Sequence, residues 1–173
     1  MTVPAVPLPV PPDPDAFRRV VGRFATGVTV LTTTWGGNDY GMTANAFTSV
    51  SLDPLLVLVC VDIEARFHDA AVSAGVWGVS ILGQHDRATA GWLATRGRPL
   101  HGQLERVPFV RGAATGVPLL STALATLECT THAVHDGGDH SILVGEVRSA
   151  ATPADDEPLL WYRGQYGAHR HTH

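Results

Sequence analysis

The segment from Gly41 to Ser51 carries residue types that could bind a small molecule. Five of its side chains are hydroxyls or amides, and none is charged: Thr43, Asn45, Thr48, Ser49 and Ser51. Such groups donate and accept hydrogen bonds without adding charge, so they suit a polar, planar ligand. A plain hairpin with threonines and serines on its exposed face would have the same composition. The residues alone leave both interpretations open.

Arg66 is a candidate for binding an anion. It follows the apolar run 55–61 and lies near the start of a predicted helix. There its guanidinium could pair with a phosphate, helped by the positive end of the helix. The alternative is a solvated arginine on an exposed turn, as most arginines are.

His140 is a candidate for proton or hydrogen-bond chemistry. It begins a predicted strand directly after the turn 136–139, and we expect it to face His135 across the hairpin. A histidine at the mouth of a loop can donate a hydrogen bond or a proton near neutral pH. A turn histidine without a role is the alternative.

The remaining residues argue against metal and hydrolytic chemistry. Three of the nine histidines (132, 135 and 140) could converge, and three more (169, 171 and 173) alternate at the C-terminus. Their spacing matches no common zinc site, so we expect no metal. The sequence contains no Gly-x-Ser-x-Gly, and Cys60 lies within an apolar run, which disfavours a nucleophilic hydrolase.

The polar segment must be positioned by strands. After the turn at Asp53-Pro54, the apolar run 55–61 predicts a buried strand. Further strands are predicted over 28–35, 76–82, 123–135, 140–147 and 158–163, with one near 104–110 in an otherwise irregular region. Helices are predicted from Asp13-Pro14 to near Gly27, and over 64–74 and 84–95. This order favours an antiparallel β-barrel with helices at its margin.

Composition bounds the function classes. A chain of 173 residues that is 45% hydrophobic and 16% charged predicts one globular domain. A net charge of −4 argues against nucleic-acid binding, and no apolar run is long enough for a membrane span. Neither a secretory signal nor a disulfide is expected, so we predict a cytoplasmic protein. Residues 1–14 form a proline-rich arm, 15–167 the domain and 168–173 a histidine-rich tail.

Several separated motifs resemble one known family. They are residues 24–30 (Phe-Ala-Thr-Gly-Val-Thr-Val), the segment 41–62 and Gly138-Asp139-His140, in that order. Together they resemble the flavin reductases with the FMN-binding split-barrel fold, over roughly Asp15 to Tyr166. The resemblance implies a mainly β fold with short helices, a split β-barrel of Greek-key type. It also implies the reductase component of a two-component flavin-dependent monooxygenase.

The resemblance carries expectations about activity and partners. The reaction would be hydride transfer from nicotinamide C4 of NADH or NADPH to N5 of FMN or FAD. The protein would be a homodimer with flavin near the subunit interface, and reduced flavin would pass to a separate oxygenase. Two alternatives stay open: a split-barrel flavoprotein that retains its flavin and acts on its own substrate, and a non-enzymatic flavin-binding module.

The resemblance also implies roles for individual residues. His140 would lie by the flavin ring and nicotinamide, Arg66 would bind the flavin phosphate, and Tyr166 would border the pyridine-nucleotide site. The other cofactor-binding residues would be Thr43, Ala44, Asn45, Ala46, Ser49, Val50, Ser51, Cys60 and Phe67. Many members have a Ser/Thr-rich turn where Ala65, Phe67 and His68 stand here, which leaves the choice between FMN and FAD open.

Overall fold

The computed structural model describes residues 10–99 and 101–169, which form antiparallel strands with short helices at their margin. Residues 1–9 of the predicted arm and 170–173 of the predicted tail lie outside this range. The helices are α1 Pro14–Val21, α2 Arg66–Ala74 and α3 Arg87–Ala94, the last preceded by a 3₁₀ turn at Gln84–Asp86. The strands are β1 Thr26–Gly27, β2 Thr29–Trp35, β3 Asn38–Ala44, β4 Phe47–Leu52, β5 Leu55–Asp62, β6 Val76–Ile81, β7 Phe109–Arg111, β8 Pro118–Leu120, β9 Ala125–Asp136, β10 His140–Ala151, β11 Leu159–Tyr162 and β12 Gln165–Ala168.

Seven strands form one antiparallel sheet in the order β3-β2-β6-β9-β10-β5-β4. The sheet curls on itself, because β3 contacts β5 although they lie near opposite edges. The two edge strands, β3 and β4, are consecutive in the chain and are joined only by Asn45-Ala46. The barrel is therefore split at the polar segment, and the predicted antiparallel barrel with marginal helices is confirmed.

Alternation along β5 fixes which side chains enter the barrel. Val57, Val59 and Val61 are buried in the core with residues such as Leu31 and Trp77. Each fully buried side chain of this size stabilises the fold by about 1.5–3 kcal/mol. The alternate residues Leu56, Leu58, Cys60 and Asp62 are only half-buried, because they point to the outer face of the sheet.

Helix α1 begins where the sequence predicts and ends early. The Asp13 carboxylate accepts a hydrogen bond from the Ala16 N–H at 2.7 Å, as expected for an N-cap before proline. The helix ends at Val21, well before the predicted end near Gly27, and the chain enters β1 instead. The apolar side chains Phe17 and Val20 are exposed on its surface.

The region 100–117 differs most from the prediction. The expected strand near 104–110 is wrong, because only Phe109–Arg111 pairs, with Pro118–Leu120. Buried Glu128 holds the loop between these strands by accepting hydrogen bonds from Thr115 N (2.6 Å), Thr115 Oγ1 (2.7 Å) and Ala114 N. Burial opposes ionisation, but these donors outweigh it and lower the pKa of Glu128.

The final hairpin was only half predicted. β11 pairs with β12, a strand that the sequence analysis missed, and with β1. This small sheet lies beside the barrel and carries Trp161 and Tyr166. No helix within 10–99 or 101–169 has the length and hydropathy needed to cross a membrane.

Candidate functional site

Three adjoining cavities form a groove along residues 41–48, at the split of the barrel. The α2 cavity, of about 320 Å³, lies beside the start of α2 and contains Thr43 in its wall. The bridge cavity, of about 150 Å³, shares Thr43 and Ala94 with it. The α1 cavity, of about 590 Å³, lies below α1 and shares Asn45 and Trp161 with the bridge cavity. The polar segment thus connects all three.

The free edge of β3 supplies backbone hydrogen-bonding groups to this groove. Gly41 points its N–H and C=O away from β2, towards Gln103 Oε1 (3.4 Å) and the Arg98 guanidinium (2.8 Å). Because these directions alternate along an antiparallel strand, the backbone of Thr43 points the same way. The Thr43 hydroxyl donates to Ala90 O at 2.7 Å and fastens α3 to this edge. Since the Gly41 groups are already bonded, the N–H and C=O of Thr43 are the strand-edge donor and acceptor that the split offers to a ligand.

The α2 cavity carries more positive than negative charge, since three arginines (66, 96 and 98) line it together with Asp62 and Glu64. Arg66 is the first residue of α2, and no side chain in the described ranges caps the N-terminus of this helix. One Arg66 amino group donates to Arg98 O. Phe67 lies behind it in the core, only 4% exposed, and the His68 ring turns to Ser141 Oγ at 2.9 Å. An uncapped helix start beside a guanidinium is suited to a phosphate.

Arg98 is the most constrained cation of this cavity. Its Nη1 donates to three carbonyls at the end of α3 (Trp92, Leu93 and Thr95). Its buried Nε has no hydrogen-bond partner among the described residues. Burial, followed by the charge of Arg66, lowers the pKa of Arg98. An anion in this cavity would offset the repulsion between the two guanidinium groups.

His140 lies on the same outer face of the sheet as the groove, but it does not face His135 as the sequence analysis predicted. It pairs with Asp62 of β5, whereas His135 pairs with Ile142. Opposite residues of an antiparallel pair project to the same face, so His140 lies in a row with Asp62 and Cys60. Asp62 also binds Arg96 at 3.1 Å. His140 Nδ1 is 2.7 Å from Asp139 Oδ1, which is the main cause of the lowered pKa of Asp139.

The α1 cavity is mostly apolar. Asn45, Ala46 and Cys60 line it, and the Asn45 amide donates to Thr26 Oγ1 at 3.3 Å. Phe24 and Phe47 contribute rings to its wall. These residues form a flat, weakly polar surface, on which an aromatic ring system could pack.

Aromatic residues border the bridge cavity. Trp161 and Tyr166 meet edge to face, with ring centroids 4.9 Å apart. The Arg87 guanidinium lies 5.8 Å from the Tyr166 ring centroid. Burial raises the pKa of the Tyr166 hydroxyl, and the charge of Arg87 opposes that shift. The hydroxyl therefore remains neutral and able to donate.

The structure brings most of the proposed site residues together. Those that line the groove are Thr43, Asn45, Ala46, Cys60, Arg66, Phe67 and Tyr166. Ala44 is buried behind it, and its carbonyl accepts a hydrogen bond from Thr29 Oγ1. Ser49, Val50 and Ser51 lie further along the edge strand β4, and they and His140 line none of the three cavities.

Sequence reasoning missed part of the groove wall. Arg96, Arg98 and Trp161 each line it, although no role was assigned to any of them. Two arginines within the segment 96–99, where Gly97 and Pro99 exclude a regular helix, were the available signal. Histidines, cysteines and carboxylates of the described ranges form no group of three that could hold a metal ion.

The fold and groove define a class: a split-barrel protein with a hydrogen-bonding groove at the split and a cationic end suited to phosphate. Residues 21–170 match the family model described as flavin reductase like domain. The chain belongs to this flavin reductase family, which confirms the resemblance.

Individual relatives are similar over most of the chain. An NADH-dependent FAD reductase from Streptomyces globisporus is 41% identical over 157 residues, 90% of this chain and 86% of that protein. HsaB, the reductase subunit of a flavin-dependent monooxygenase from Rhodococcus jostii, is 35% identical, with 89% and 77% covered. The structure of the Streptomyces globisporus NADH:FAD oxidoreductase SgcE6 with NAD and FAD fragments superposes with a TM-score of 0.85. It is 38% identical, and 96% and 98% of the two chains are covered.

Proposed function

We propose that this protein is an NAD(P)H-dependent flavin reductase that supplies reduced FMN or FAD to a separate oxygenase. One observation carries the proposal: the free edge of β3 opens into a groove whose α2 end holds Arg66 and Arg98. The similarity to an NADH-dependent FAD reductase and to a monooxygenase reductase subunit supports it. The chain is accordingly an oxidoreductase.

The donor set of the groove fits a flavin nucleotide. Arg66, the uncapped start of α2 and the nearby charge of Arg98 suit the phosphate. The backbone edge at Thr43 and the Asn45 amide suit the polar edge of a ring and its ribityl chain. When bound, the flavin supplies the ring that accepts a hydride from the reduced nicotinamide.

The residues of this chain act by positioning. The groove wall from Thr43 to Phe47 would hold one face of the ring and leave the other open to the nicotinamide. His140 would orient the hydride donor by a hydrogen bond, supported by Asp139. Trp161 and Tyr166 would exclude water from the middle of the groove. Alignment of two reactants can supply much of the rate without an acid–base group.

We further propose a homodimer. Helix α1 exposes Phe17 (57%) and Val20 (71%), and Phe24, which follows the helix, is 76% exposed. Strand β4 exposes Val50 (49%) and Leu52 (87%). Both α1 and β4 contribute residues to the α1 cavity, and exposed apolar side chains on adjoining elements are typical of an interaction surface. A second copy of the chain would cover them and complete the groove. Both cysteines are free thiols, which supports a cytoplasmic location.

The test is oxidation of NADH and of NADPH with and without added FMN or FAD. The proposal expects nucleotide oxidation that requires catalytic amounts of protein and rises with added free flavin. Protein that keeps its flavin through purification and reduces free flavin slowly would instead be a flavoprotein with its own substrate. Flavin binding without nucleotide oxidation would identify a non-enzymatic binding module.

A further inference from the structure

A second cationic pocket lies beyond the α1 cavity. It is formed by Arg18, Arg19 and Arg23 of α1 and the residues that follow it, together with Arg163 of the β11–β12 turn. The pocket, of about 420 Å³, also includes the backbone of Gly22 and Gly164. We call it the four-arginine pocket. It shares Arg18, Gly22 and Gly164 with the α1 cavity, so it continues the groove.

The backbone fixes the relative position of the two segments that form this pocket. The Arg163 N–H donates to Gly22 O at 2.9 Å. The two segments lie in contact at Gly22, where a Cβ would be 3.8 Å from Arg163 Cα and 3.0 Å from Arg18 O of α1 itself. The end of α1 and the hairpin turn are therefore held together without any contribution from the guanidinium groups. This leaves the guanidinium groups available to a ligand.

Arg163 occupies a backbone position that disfavours arginine. Its φ is 53°, and Gly164 follows with a φ of 76°, between the paired residues Tyr162 and Gln165. Two-residue hairpin turns with positive φ at both positions are typically Asn-Gly. A residue with a Cβ is strained in this left-handed conformation. Such strain is concentrated at functional positions such as ligand-binding sites.

Three of the four arginines of the pocket form no ion pair within the described chain, while Arg18 pairs with Asp15 and also helps to lower the pKa of Asp139, after the larger effect of His140. Arg18 pairs with Asp15 at 3.0 Å, but both side chains are about three-quarters exposed. The Arg163 guanidinium lies 5.2 Å from the Tyr162 ring centroid, and Arg19 and Arg23 form no ion pair among residues 10–99 and 101–169. A helix C-terminus favours nearby cations, which accounts for Arg18 and Arg19. It does not account for Arg163, which comes from another element.

We propose that the four-arginine pocket binds the phosphate groups of the pyridine nucleotide. This inference rests on the proposed function. A flavin reductase must hold two phosphate-bearing ligands with their rings adjoining, and this groove has two cationic ends. Arg66 and Arg98 serve the flavin phosphate at the α2 end. The four-arginine pocket takes the phosphates of NADH or NADPH at the α1 end, with the nicotinamide directed towards the middle of the groove.

Two substitutions test the pocket without disturbing the fold. Arg163→Asn installs the residue that the turn prefers and removes the charge, and Arg19→Ala removes a second exposed cation. We expect the double variant to raise the KM for NADH about tenfold, the factor equivalent to 1.4 kcal/mol. The kcat and the flavin Kd should stay unchanged. Arg106→Ala, an exposed arginine outside all the cavities described above, is the control for net charge.

A hydride donor without phosphate groups shows whether a raised KM for NADH comes from lost phosphate binding. With 1-benzyl-1,4-dihydronicotinamide, the double variant and wild type should have the same kcat/KM. An unchanged KM for NADH in the double variant would overturn the inference. So would a fall in kcat/KM with the phosphate-free donor as large as the fall with NADH. A rise in the flavin Kd with an unchanged KM for NADH would assign the pocket to flavin and also overturn it. Failure of the proposed function is distinct, since wild type itself would then oxidise no NADH.

Discussion

Arg66 and Arg98 are neighbours in the wall of the α2 cavity. The Arg98 guanidinium donates to carbonyls at the end of α3. Arg66 donates to the backbone oxygen of Arg98. Burial, followed by the charge of Arg66, lowers the pKa of Arg98, so a bound anion would reduce the repulsion between the two guanidinium groups. Arg66 is therefore the residue whose removal should affect ligand binding most and folding least.

Arg66→Ala should weaken flavin affinity by about 1–3 kcal/mol, the scale of a charged hydrogen bond. Titration of FMN and FAD by fluorescence, with thermal unfolding of the same samples, measures both effects. Arg106→Ala provides the matched control. An unchanged flavin Kd in Arg66→Ala would exclude Arg66 from the site.

His140→Ala should slow hydride transfer about tenfold while the flavin Kd changes less, because His140 is expected to orient the donor. Rapid-mixing measurement of flavin reduction at saturating NADH isolates this step. His132→Ala removes an exposed histidine of the neighbouring strand β9 and should leave the rate unaltered. If the His140 variant lost flavin affinity as strongly as rate, the role assigned to His140 would be wrong.

At the scale of elements, His85 fastens the segment 152–158 to the 3₁₀ turn before α3. Its Nδ1 lies 2.9 Å from Asp156 Oδ2, and its Nε2 lies 3.0 Å from Thr122 O. Both partners can only accept, so both contacts require a doubly protonated ring. The hydrogen bond to Thr122, followed by that to Asp156, raises the pKa of His85 above 6.5.

This raised pKa predicts a loss of stability with rising pH. The folded protein binds the His85 proton more tightly than the unfolded chain does. The contribution of His85 to the free energy of unfolding is therefore complete below pH 6.5. It disappears as the pH rises through the raised pKa of the folded state. Thermal unfolding of wild type and His85→Gln across this range should show a pH dependence that the variant lacks. Parallel curves for the two proteins would contradict the assignment.

Local sequence patterns predicted the elements that form the groove better than the groove itself. The continuous apolar run 55–61 gave β5, and the turn 136–139 gave the β9–β10 hairpin. β12 was missed because Gln165–Ala168 is short and lacks a β-branched run. Arg98 and Arg163 could not be assigned, because periodicity within a segment does not indicate which distant loops meet.

At the scale of the whole molecule, the exposed apolar surface of α1 and β4 predicts self-association. Val20→Glu should convert a dimer to monomers, since a carboxylate would be buried without a partner in the interface. Sedimentation velocity at several concentrations measures this. Val110→Glu, at another exposed position on β7, should remain dimeric. A wild-type protein that sediments only as a monomer would contradict the homodimer.

The central claim is that the split between β3 and β4 holds a flavin while a nicotinamide reduces it. The most direct measurement is anaerobic mixing of the protein and one equivalent of FAD with NADH, followed by loss of the oxidised flavin absorbance. Our account predicts rapid bleaching that depends on the protein and slows in Arg66→Ala when the flavin is subsaturating. Bleaching no faster than with FAD and NADH alone would contradict it.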